Sequence, residues 1–365
     1  MGSDAVPVTG IEACAYTIPT DRLESDGTLV WDSTTIVVVE ASAGGEVGIG
    51  YTYSHAAAAT LIRSLLAAVV IGSDALDVGR AWAAMIHSIR NLGRPGIVGT
   101  AVSAVDIALW DLKARLLGVP LVVALDACHE AVPIYGSGGF TSYAMGQLAE
   151  QLHGWVATGI PRVKMKVGRD PDRDLARVRV ARDAINGAEL FVDANGAYHR
   201  KAALGWAQRY ADAGITWFEE PVTSDDLDGL RLLRDQGPGD LDIAAGEYGY
   251  DLPYFERMLA AGAVDCLQAD VTRCGGITGF VRVGALCDSR GLDLSAHCAP
   301  QVAAHASCAV WHLRHLEYFH DHVRIERMLF DGVLQPEPGG VLRPDRSRPG
   351  LGLELKRADA ERYIA

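Results

Sequence analysis

The chain's most informative segment is Arg162-Val163-Lys164-Met165-Lys166-Val167, in which two lysines alternate with apolar residues. Six further charged or histidine positions follow it, each near the end of a short apolar run and 20 to 29 residues beyond the one before: Asp193, Glu219, Glu247, Asp270, His297 and Glu317. One strand plus one helix has about this length, and a (β/α)₈ barrel builds its active site at the C-terminal ends of its strands. The spacing therefore predicts an enzyme with an α/β TIM-barrel fold.

Eight apolar segments alternate with amphipathic stretches after residue 131, which is typical of a parallel barrel. The predicted strands are 132–136, 162–167, 189–194, 215–219, 242–246, 264–269, 292–297 and 314–319. Three strands before them (8–17, 31–41, 45–52) and three helices (55–70, 75–92, 99–117) predict a small α+β unit. We expect an N-terminal capping domain over 1–125, a barrel over 126–325, and a Pro/Gly-rich segment over 326–365 that packs back on the cap.

The amino-acid composition favours some classes of binding partner over others. The 365 residues include 46 acidic and 33 basic side chains, a formal net charge of −13, which disfavours nucleic acid as a partner. Seven cysteines are dispersed without a CxxC pair and indicate reduced thiols. No signal-peptide pattern opens the chain and no apolar run is long enough to span a membrane, so we expect a cytoplasmic protein without a membrane partner.

Three carboxylates at successive strand ends, Asp193, Glu219 and Glu247, form a candidate metal site. All-oxygen ligands select hard cations, so the set predicts Mg²⁺, with Mn²⁺ as the alternative. Each acid taken singly is compatible with an ordinary ion pair, but three in consecutive register favour a metal site. Strand alternation points Glu219 and Glu220 to opposite faces, and this pattern alone does not choose between them.

Two groups of candidate bases flank this site. Lys164 and Lys166 lie on one face of a strand, toward the barrel interior, and mutual repulsion of their ammonium groups is expected to lower the pKa of at least one. Asp270 and His297 end neighbouring strands, so the carboxylate can fix the imidazole tautomer and leave the other ring nitrogen free to move a proton. A lysine edge pattern and a structural core histidine are the alternatives.

A metal site between two bases suits abstraction of a proton α to a carboxylate, because a divalent cation stabilises the charge of the resulting enolate. Two reactions remain open. Either one base removes the α-proton while the other protonates a leaving hydroxyl, or the two bases exchange protons on opposite faces. A non-catalytic barrel that binds an anion is a third hypothesis, disfavoured because every acid, base and ligand is present.

Two other clusters carry no predicted chemistry. The run Gly136-Ser137-Gly138-Gly139 lacks the patterns of a phosphate loop or a nucleophile elbow and is interpreted as a loop after the first barrel strand. Four histidines, His312, His315, His320 and His322, are interpreted as surface or helix-cap residues.

Ordered motifs along nearly the whole chain resemble the enolase superfamily, and within it the mandelate racemase subgroup. They are V-S-A-V-D-I-A-L-W-D-L-K-A-R-L-L-G-V-P-L at 102–121, then V-K-M-K-V, V-D-A-N-G, F-E-E-P, G-E, Q-A-D-V-T-R-C-G-G-I-T and S-A-H. The resemblance implies a modified enolase-type barrel in which Asp193, Glu219 and Glu247 bind Mg²⁺. It also implies Lys166 as one base with Lys164 beside the substrate carboxylate, and His297 with Asp270 as the other base. Glu317 would hydrogen-bond that carboxylate, and Asn195 would lie beside the intermediate.

Specificity in this family comes from a loop of the capping domain, which the resemblance places near 19–28. Asp21, Arg22 and Glu24 are the candidate substrate-binding residues there, because several polar side chains suit a substrate with several hydroxyls. We therefore expect dehydration of a sugar acid to a 2-keto-3-deoxy acid, with racemisation or epimerisation of an α-substituted carboxylate as the alternative. The family also implies a homo-oligomer.

Overall fold

The structure is a computed structural model that describes residues 5–365. Three antiparallel strands open the cap and pair in the order β1–β2–β3: β1 (Gly10–Ser25), β2 (Val30–Ala43) and β3 (Glu46–Tyr53). The β-branched run Thr34–Val39 lies at the centre of β2, where Val37 and Val39 are fully buried in the cap core. This run favours a strand because branched side chains pack well on a pleated surface.

Helices complete the cap: α1 (Ala57–Leu61), a π-helical turn (Ile62–Leu66), α2 (Ala67–Val70), α3 (Val78–Ser88), α4 (Ile97–Leu116) and α5 (Leu121–Ala124). The predicted helices are present, although the first contains the π-helical turn in its middle. Helix α4 crosses β3 at very close range, because a Cβ on Gly50 would lie 2.2 Å from the carbonyl oxygen of Ala104. Glycine at this crossing allows the long helix to lie directly on the sheet.

The barrel contains the eight predicted strands: β4 (Val132–Gly138), β5 (Arg162–Lys166), β6 (Glu189–Asp193), β7 (Trp217–Glu219), β8 (Asp242–Ala245), β9 (Cys266–Ala269), β10 (Asp293–Ala296) and β11 (Leu313–Phe319). Each pairs in parallel with the next, and β11 pairs with β4 to close the ring, so the predicted TIM barrel with an antiparallel cap is confirmed. The helices around it are α6 (Met145–Ala157), α7 (Pro171–Ala184), α8 (Arg200–Asp212), α9 (Leu227–Gln236), α10 (Leu252–Ala260), α11 (Gly276–Arg290), α12 (Pro300–Ser307) and α13 (His320–Leu329).

Aromatic rings fill the interior of the barrel beneath the lysines. Tyr135, Phe191 and Trp217 are buried in one cluster, with neighbouring ring centroids 5.4 Å apart. Lys164 Nζ lies 5.4 Å from the centroid of the Tyr135 ring. Side chains that close the interior leave the C-terminal ends of the strands as the place for a polar site.

The segment predicted as a ten-residue loop, 19–28, is mostly strand, and that prediction is wrong. Strand β1 runs to Ser25 with a register shift between Pro19 and Glu24, after which Glu24 pairs with Trp31. Only a short turn then remains: Asp26 N donates to the Leu29 carbonyl at 3.1 Å, and Asp26 Oδ1 accepts from the Thr28 and Leu29 amides. An aspartate that caps its own turn in this way needs few residues to reverse the chain.

The interpretation of Gly136-Ser137-Gly138 as loop is also wrong, since all three lie within β4. Helix α6 packs so closely on this strand that a Cβ on Gly136 would lie 2.5 Å from the Trp155 ring. A Cβ on Gly138 would similarly meet the Gln151 side chain at 2.4 Å. Glycine is therefore required at these positions by the close packing of the helix on the strand, and not by a turn.

The C-terminal segment adds the short strands β12 (Phe330–Asp331), β13 (Val341–Leu342) and β14 (Glu354–Leu355), helix α14 (Arg357–Ala360) and a 3₁₀ turn (Glu361–Tyr363). Its last residue reaches the cap, where Ala365 N donates to the Ala15 carbonyl at 3.0 Å. Arg357 also pairs with Glu40 of β2 at 2.5 Å. Within residues 5–365, no helix has the length and apolar character that a membrane span requires.

Candidate active site

Strand register brings three of the predicted residues into one row at the mouth of the barrel. Lys166 on β5 is directly opposite Asp193 on β6, and Asp193 is directly opposite Glu219 on β7. Glu247 follows β8 after Gly246, whose φ of +135° and approach to Gln268 exclude any side chain. Parallel pairing with little stagger therefore converts a repeat in the sequence into one cluster of charge.

Both lysines are held by carboxylates. Lys164 Nζ lies 2.5 Å from Glu219 Oε1 and 2.9 Å from Glu317 Oε1, and Lys166 Nζ lies 2.5 Å from Asp193 Oδ2. Burial acts to lower both lysine pKa values, but the attraction of these carboxylates outweighs it and raises them above the ordinary value. These contacts oppose the predicted lowering by mutual repulsion, because the carboxylates around each ammonium stabilise its charged form.

His297 is fixed on the other side of the site. Its Nδ1 lies 2.8 Å from Asp270 Oδ2, while Asp270 Oδ1 accepts hydrogen bonds from the amide and hydroxyl of Thr272, both at 2.7 Å. Despite burial, the hydrogen bond from His297 and the nearby Arg273 guanidinium hold the pKa of Asp270 below its ordinary value. An ionised Asp270 requires the proton on His297 Nδ1, so Nε2 is the nitrogen free to exchange a proton.

Glu317 links the lysine side to the histidine side. Its Oε1 accepts from Ser137 Oγ at 2.6 Å and from Lys164, and its Oε2 lies 3.5 Å from His297 Nε2. Burial would raise the pKa of Glu317, but Lys164 and His297 lower it well below the ordinary value. The residue is therefore a carboxylate whose two oxygens serve different neighbours.

The three predicted metal ligands fit a hard divalent cation. Asp193, Glu219 and Glu247 each offer one carboxylate oxygen, and these oxygens lie within 4.8 Å of one another. Glu247 Oε2 is buried without an aligned hydrogen-bond partner, although His297 Nε2 lies 3.1 Å away. Trp217 Nε1 donates to Glu219 Oε2 at 2.9 Å and orients that carboxylate. Three buried oxygens from separate strands are the donor set that Mg²⁺ uses.

Glu220, the alternative to Glu219, is placed differently. It has a φ of +39° and is buried with Oε1 unpartnered, but it offers no oxygen to the three-carboxylate cluster. Burial and the neighbouring Glu247 carboxylate raise its pKa well above the ordinary value. Glu220 is thus a buried acid beside the cluster and not one of its three members.

A cavity of about 450 Å³ opens between the barrel mouth and the cap. Of the residues predicted for the site, Lys166, Asn195, Glu247, His297 and Glu317 line it. Lys164, Asp193 and Glu219 are completely buried beneath its floor, and Asp270 lies behind His297. Asn195, with a φ of +46°, presents an Oδ1 without a hydrogen-bond partner. The arrangement places proton-transfer groups on the wall and charge-fixing groups below it.

The three cap residues predicted to bind substrate are not on the cavity wall. Asp21 and Arg22 are exposed, and Asp21 pairs with His320 at 3.1 Å. Glu24 is fully buried and accepts a hydrogen bond from Trp31 Nε1 at 2.8 Å. Burial and the nearby Asp321 raise the pKa of Glu24 to about 8. The hydrogen bond gives Glu24 a role in holding Trp31, while Asp21 and Arg22 are not among the residues that line the cavity.

Most of the cap wall was missed by sequence reasoning. It comprises Asp26, Leu29, Trp31, Ser33, Thr34, Thr35, Tyr53, Ser54 and His55. The turn of the first hairpin is pinned over the barrel, since Arg169 donates to the carbonyls of Asp26 and Leu29 at 2.8 and 2.7 Å. A Cβ on Gly27 would lie 2.3 Å from the Ala194 carbonyl. Only the docking of the hairpin on the barrel in three dimensions shows that these residues line the cavity together.

The interpretation of the histidine cluster as surface residues is wrong for two members. His315 is buried inside the barrel among Tyr135, Phe191 and Trp217. His322 lines the cavity and stacks on Tyr53, and its Nδ1 accepts from the Ala299 amide at 3.2 Å. Burial lowers the pKa of His322 to about 3, so it remains a neutral imidazole with its proton on Nε2.

A barrel with an α+β cap, a three-carboxylate cluster and facing lysine and histidine groups defines an enzyme of the enolase superfamily. Comparison with known proteins agrees: residues 25–125 match the mandelate racemase/muconate lactonizing enzyme N-terminal domain, and residues 147–360 match the enolase C-terminal domain-like family. The chain belongs to the mandelate racemase/muconate lactonizing enzyme family, as the sequence motifs predict.

Three relatives illustrate its range. The 3,6-anhydro-alpha-L-galactonate cycloisomerase of Streptomyces coelicolor is 32% identical over 93% of this chain and 94% of its own. A mandelate racemase/muconate lactonizing enzyme-like protein from Rubrobacter xylanophilus is 61% identical with a TM-score of 0.96, covering 98% of this chain and 100% of its own. The L-talarate/galactarate dehydratase of Salmonella typhimurium, solved with Mg and L-lyxarohydroxamate, is 26% identical with a TM-score of 0.88, covering 99% and 93%. A relative that holds magnesium supports the predicted cofactor.

Proposed function

We propose that this enzyme uses Mg²⁺ to eliminate the β-oxygen of a sugar acid and forms a 2-keto-3-deoxy acid, most simply by dehydration. The observation that carries the proposal is the pairing of Lys166 with an Asp270-fixed His297 across one cavity, above three buried carboxylates. In the ring order β10–β11–β4–β5, the two bases stand three strands apart. They can therefore reach a substrate from different sides.

The residues divide the reaction between them. Lys166 Nζ and His297 Nε2 exchange protons with the substrate, one at the α-carbon and the other at the departing β-oxygen. Glu317 and Lys164 position the substrate carboxylate, and Asp270 keeps His297 in the tautomer whose Nε2 faces the cavity. When bound by Asp193, Glu219 and Glu247, Mg²⁺ supplies positive charge that stabilises the enolate and offsets the carboxylates that raise the lysine pKa values.

The cap wall supports a substrate with one carboxylate and a hydroxylated, uncharged far end. Ser33, Thr34, Thr35 and Ser54 line the cavity there, beside the apolar surface of Leu29 and Trp31, and their hydroxyls are hydrogen-bonded to Asp32, Asp321, Thr17 and Thr100. Lys166 and Arg273 are the lysine and arginine among the described residues that line the cavity, and both are already paired with carboxylates of the barrel. A second terminal carboxylate would meet Asp26 without a matching cation. We therefore propose an aldonic acid in preference to an aldaric acid.

The 32% identical cycloisomerase favours a second candidate, opening of an anhydro-sugar acid. The elimination would be the same, except that the leaving oxygen stays attached to the molecule. His297 or Lys166 would protonate an alkoxide and no water would be lost. The cap wall can favour dehydration or ring opening only through the shape of the far end of the substrate that it accepts.

A library of aldonic, uronic, aldaric and anhydro-aldonic acids, incubated with Mg²⁺ and the enzyme in D₂O, tests the proposal. Semicarbazide detects a 2-keto product, and mass spectrometry distinguishes loss of one water from an unchanged mass. We expect a 2-keto acid with loss of water from an aldonic acid. Deuterium incorporation without a keto product would instead indicate a racemase or epimerase, and turnover of aldaric acids alone would contradict the single-carboxylate assignment.

A further inference from the structure

Cys298 lies directly in the active-site cavity and has no role in the proposed elimination. Its Sγ is 3.3 Å from His297 Nε2 and 3.4 Å from Glu317 Oε2, and those two atoms are 3.5 Å apart. All three side chains are buried, and all three line the cavity. A nitrogen, a sulfur and an oxygen donor thus form a nearly equilateral triangle.

This triangle has the dimensions of one face of a tetrahedral zinc site. Zinc bonds of about 2.0 to 2.3 Å to nitrogen, oxygen and sulfur separate neighbouring ligands by about 3.3 to 3.6 Å. The observed separations are 3.3, 3.4 and 3.5 Å. The side toward the cavity remains for a fourth ligand, such as water.

Neighbouring residues also hold these three ligands in position. Asp270 accepts a hydrogen bond from His297 Nδ1, as in the carboxylate–histidine pairs that support zinc, and His297 Nε2 also lies 3.1 Å from Glu247 Oε2. Lys164 and Ser137 hold Glu317 through Oε1 and leave Oε2 toward the triangle. The backbone places the thiol by an uncommon conformation, since Cys298 and Ala299 have consecutive φ angles of +52° and +44°. Such a pair of left-handed residues without glycine is strained and marks a functional constraint.

We propose that His297, Cys298 and Glu317 form a second metal site, for a thiophilic divalent cation such as Zn²⁺, and that its occupation inhibits the enzyme. Donor chemistry separates it from the Asp193, Glu219 and Glu247 cluster, because a thiolate and an imidazole select borderline and soft ions over Mg²⁺. A cation bound there takes the Nε2 lone pair of His297 and covers Glu317. Proton transfer and substrate binding are then blocked together, whatever acid proves to be the substrate.

Metal binding requires the thiol to release its proton. Burial and the neighbouring Glu317 raise the pKa of Cys298 well above its ordinary value, so the thiol is neutral without a metal. A coordinating cation displaces that proton, which leaves to solvent, and no oxidation or reduction is involved.

Titration of the Mg²⁺-saturated enzyme with Cd²⁺ tests the site without any substrate. We expect one equivalent of Cd²⁺ to produce the ultraviolet charge-transfer band of a cadmium thiolate, and Zn²⁺ to remove that band by competition. Cys298→Ala should abolish the band and weaken Zn²⁺ binding in calorimetry by at least about 100-fold, since a ligand is lost. Cys128→Ala, at an exposed thiol, is the matched control and should retain both.

His297→Asn should keep the thiolate band while weakening Zn²⁺ binding, because sulfur remains and nitrogen is lost. No band in the wild type, or an equal band in Cys298→Ala, would overturn the proposal. X-ray absorption at the zinc edge of the wild-type holoenzyme gives an answer that does not depend on any variant folding. One sulfur neighbour among nitrogen and oxygen ligands supports the site, and a shell without sulfur excludes it.

Discussion

The barrel side and the cap side of the cavity are built on opposite electrostatic principles. On the barrel side every charge is compensated, for Lys164 touches Glu219 and Glu317, and His297 touches Asp270. On the cap side the wall combines Ser, Thr and apolar residues with Asp26 and His55 and has no lysine or arginine among its described residues, and the buried carboxyl of Glu24, outside the wall, accepts a hydrogen bond from the indole N–H of Trp31. The barrel therefore supplies the chemistry of the family, while the cap selects the far end of the substrate.

The difference follows from how each side is positioned. Lys166, Asp193 and Glu219 share one row of parallel strands, so a change in one displaces its neighbours. The hairpin of the cap is held by contacts with backbone carbonyls, such as those from Arg169, and its side chains are free to vary. Charge networks resist substitution because removing one partner leaves another buried and unpaired.

Replacing a base on the barrel side should have the largest effect. Lys166→Ala removes the group that exchanges a proton on one face, and we expect kcat/KM for elimination to fall by about 10⁴-fold. Exchange of the α-proton with D₂O, followed by nuclear magnetic resonance on substrates of both configurations, should be lost from one face only. Lys201→Ala, an exposed lysine on α8, is the control for the loss of a positive charge. Equal exchange from both faces in Lys166→Ala would count against the assignment.

Replacing Glu24, the buried carboxyl of the cap, should have an effect of intermediate size. The quantity affected is the pH dependence of the free energy of unfolding. With a folded pKa of about 8 against an ordinary 4.5, Glu24 keeps its proton in the folded state while the unfolded chain loses it. Its contribution to stability is therefore complete below about pH 4.5 and declines as pH rises toward 8. Glu24→Gln keeps a hydrogen-bond acceptor for Trp31 but does not titrate.

Urea unfolding of wild type and Glu24→Gln at pH 5.5 and pH 8.5 measures this contribution. We expect the stability of the wild type relative to the variant to fall by on the order of 3 kcal/mol between the two conditions. Glu46→Gln, at an exposed position of the next hairpin, should show no such change. A constant difference between wild type and Glu24→Gln would mean that Glu24 is ionised in the folded protein.

The two sides also differ in how far sequence predicts them. Asp193, Glu219, Glu247 and His297 were found because each follows an apolar strand, and barrel closure brings strand ends together whatever the details. Thr35 and Ser54 could not be found, since they reach the cavity only after the cap docks on strands more than 100 residues away in sequence. The segment at 19–28 was misread because the family resemblance places a loop there, whereas a register shift lets the strand continue to Ser25. The sequence gives no indication of a role for Cys298 other than its position directly after His297.

The smallest effect is expected where that misreading assigned substrate contacts. Arg22 is exposed and outside the cavity wall, so Arg22→Ala should change kcat/KM by less than about twofold, within the range of ordinary surface substitutions. Asn195→Ala, which removes an unpartnered Oδ1 from the cavity, should lower kcat/KM by about 10-fold or more. Steady-state kinetics on the substrate found in the acid library compares the two. A loss of tenfold or more in Arg22→Ala would show that the register-shifted end of β1 reaches the substrate and that the cap contributes a cation to its binding.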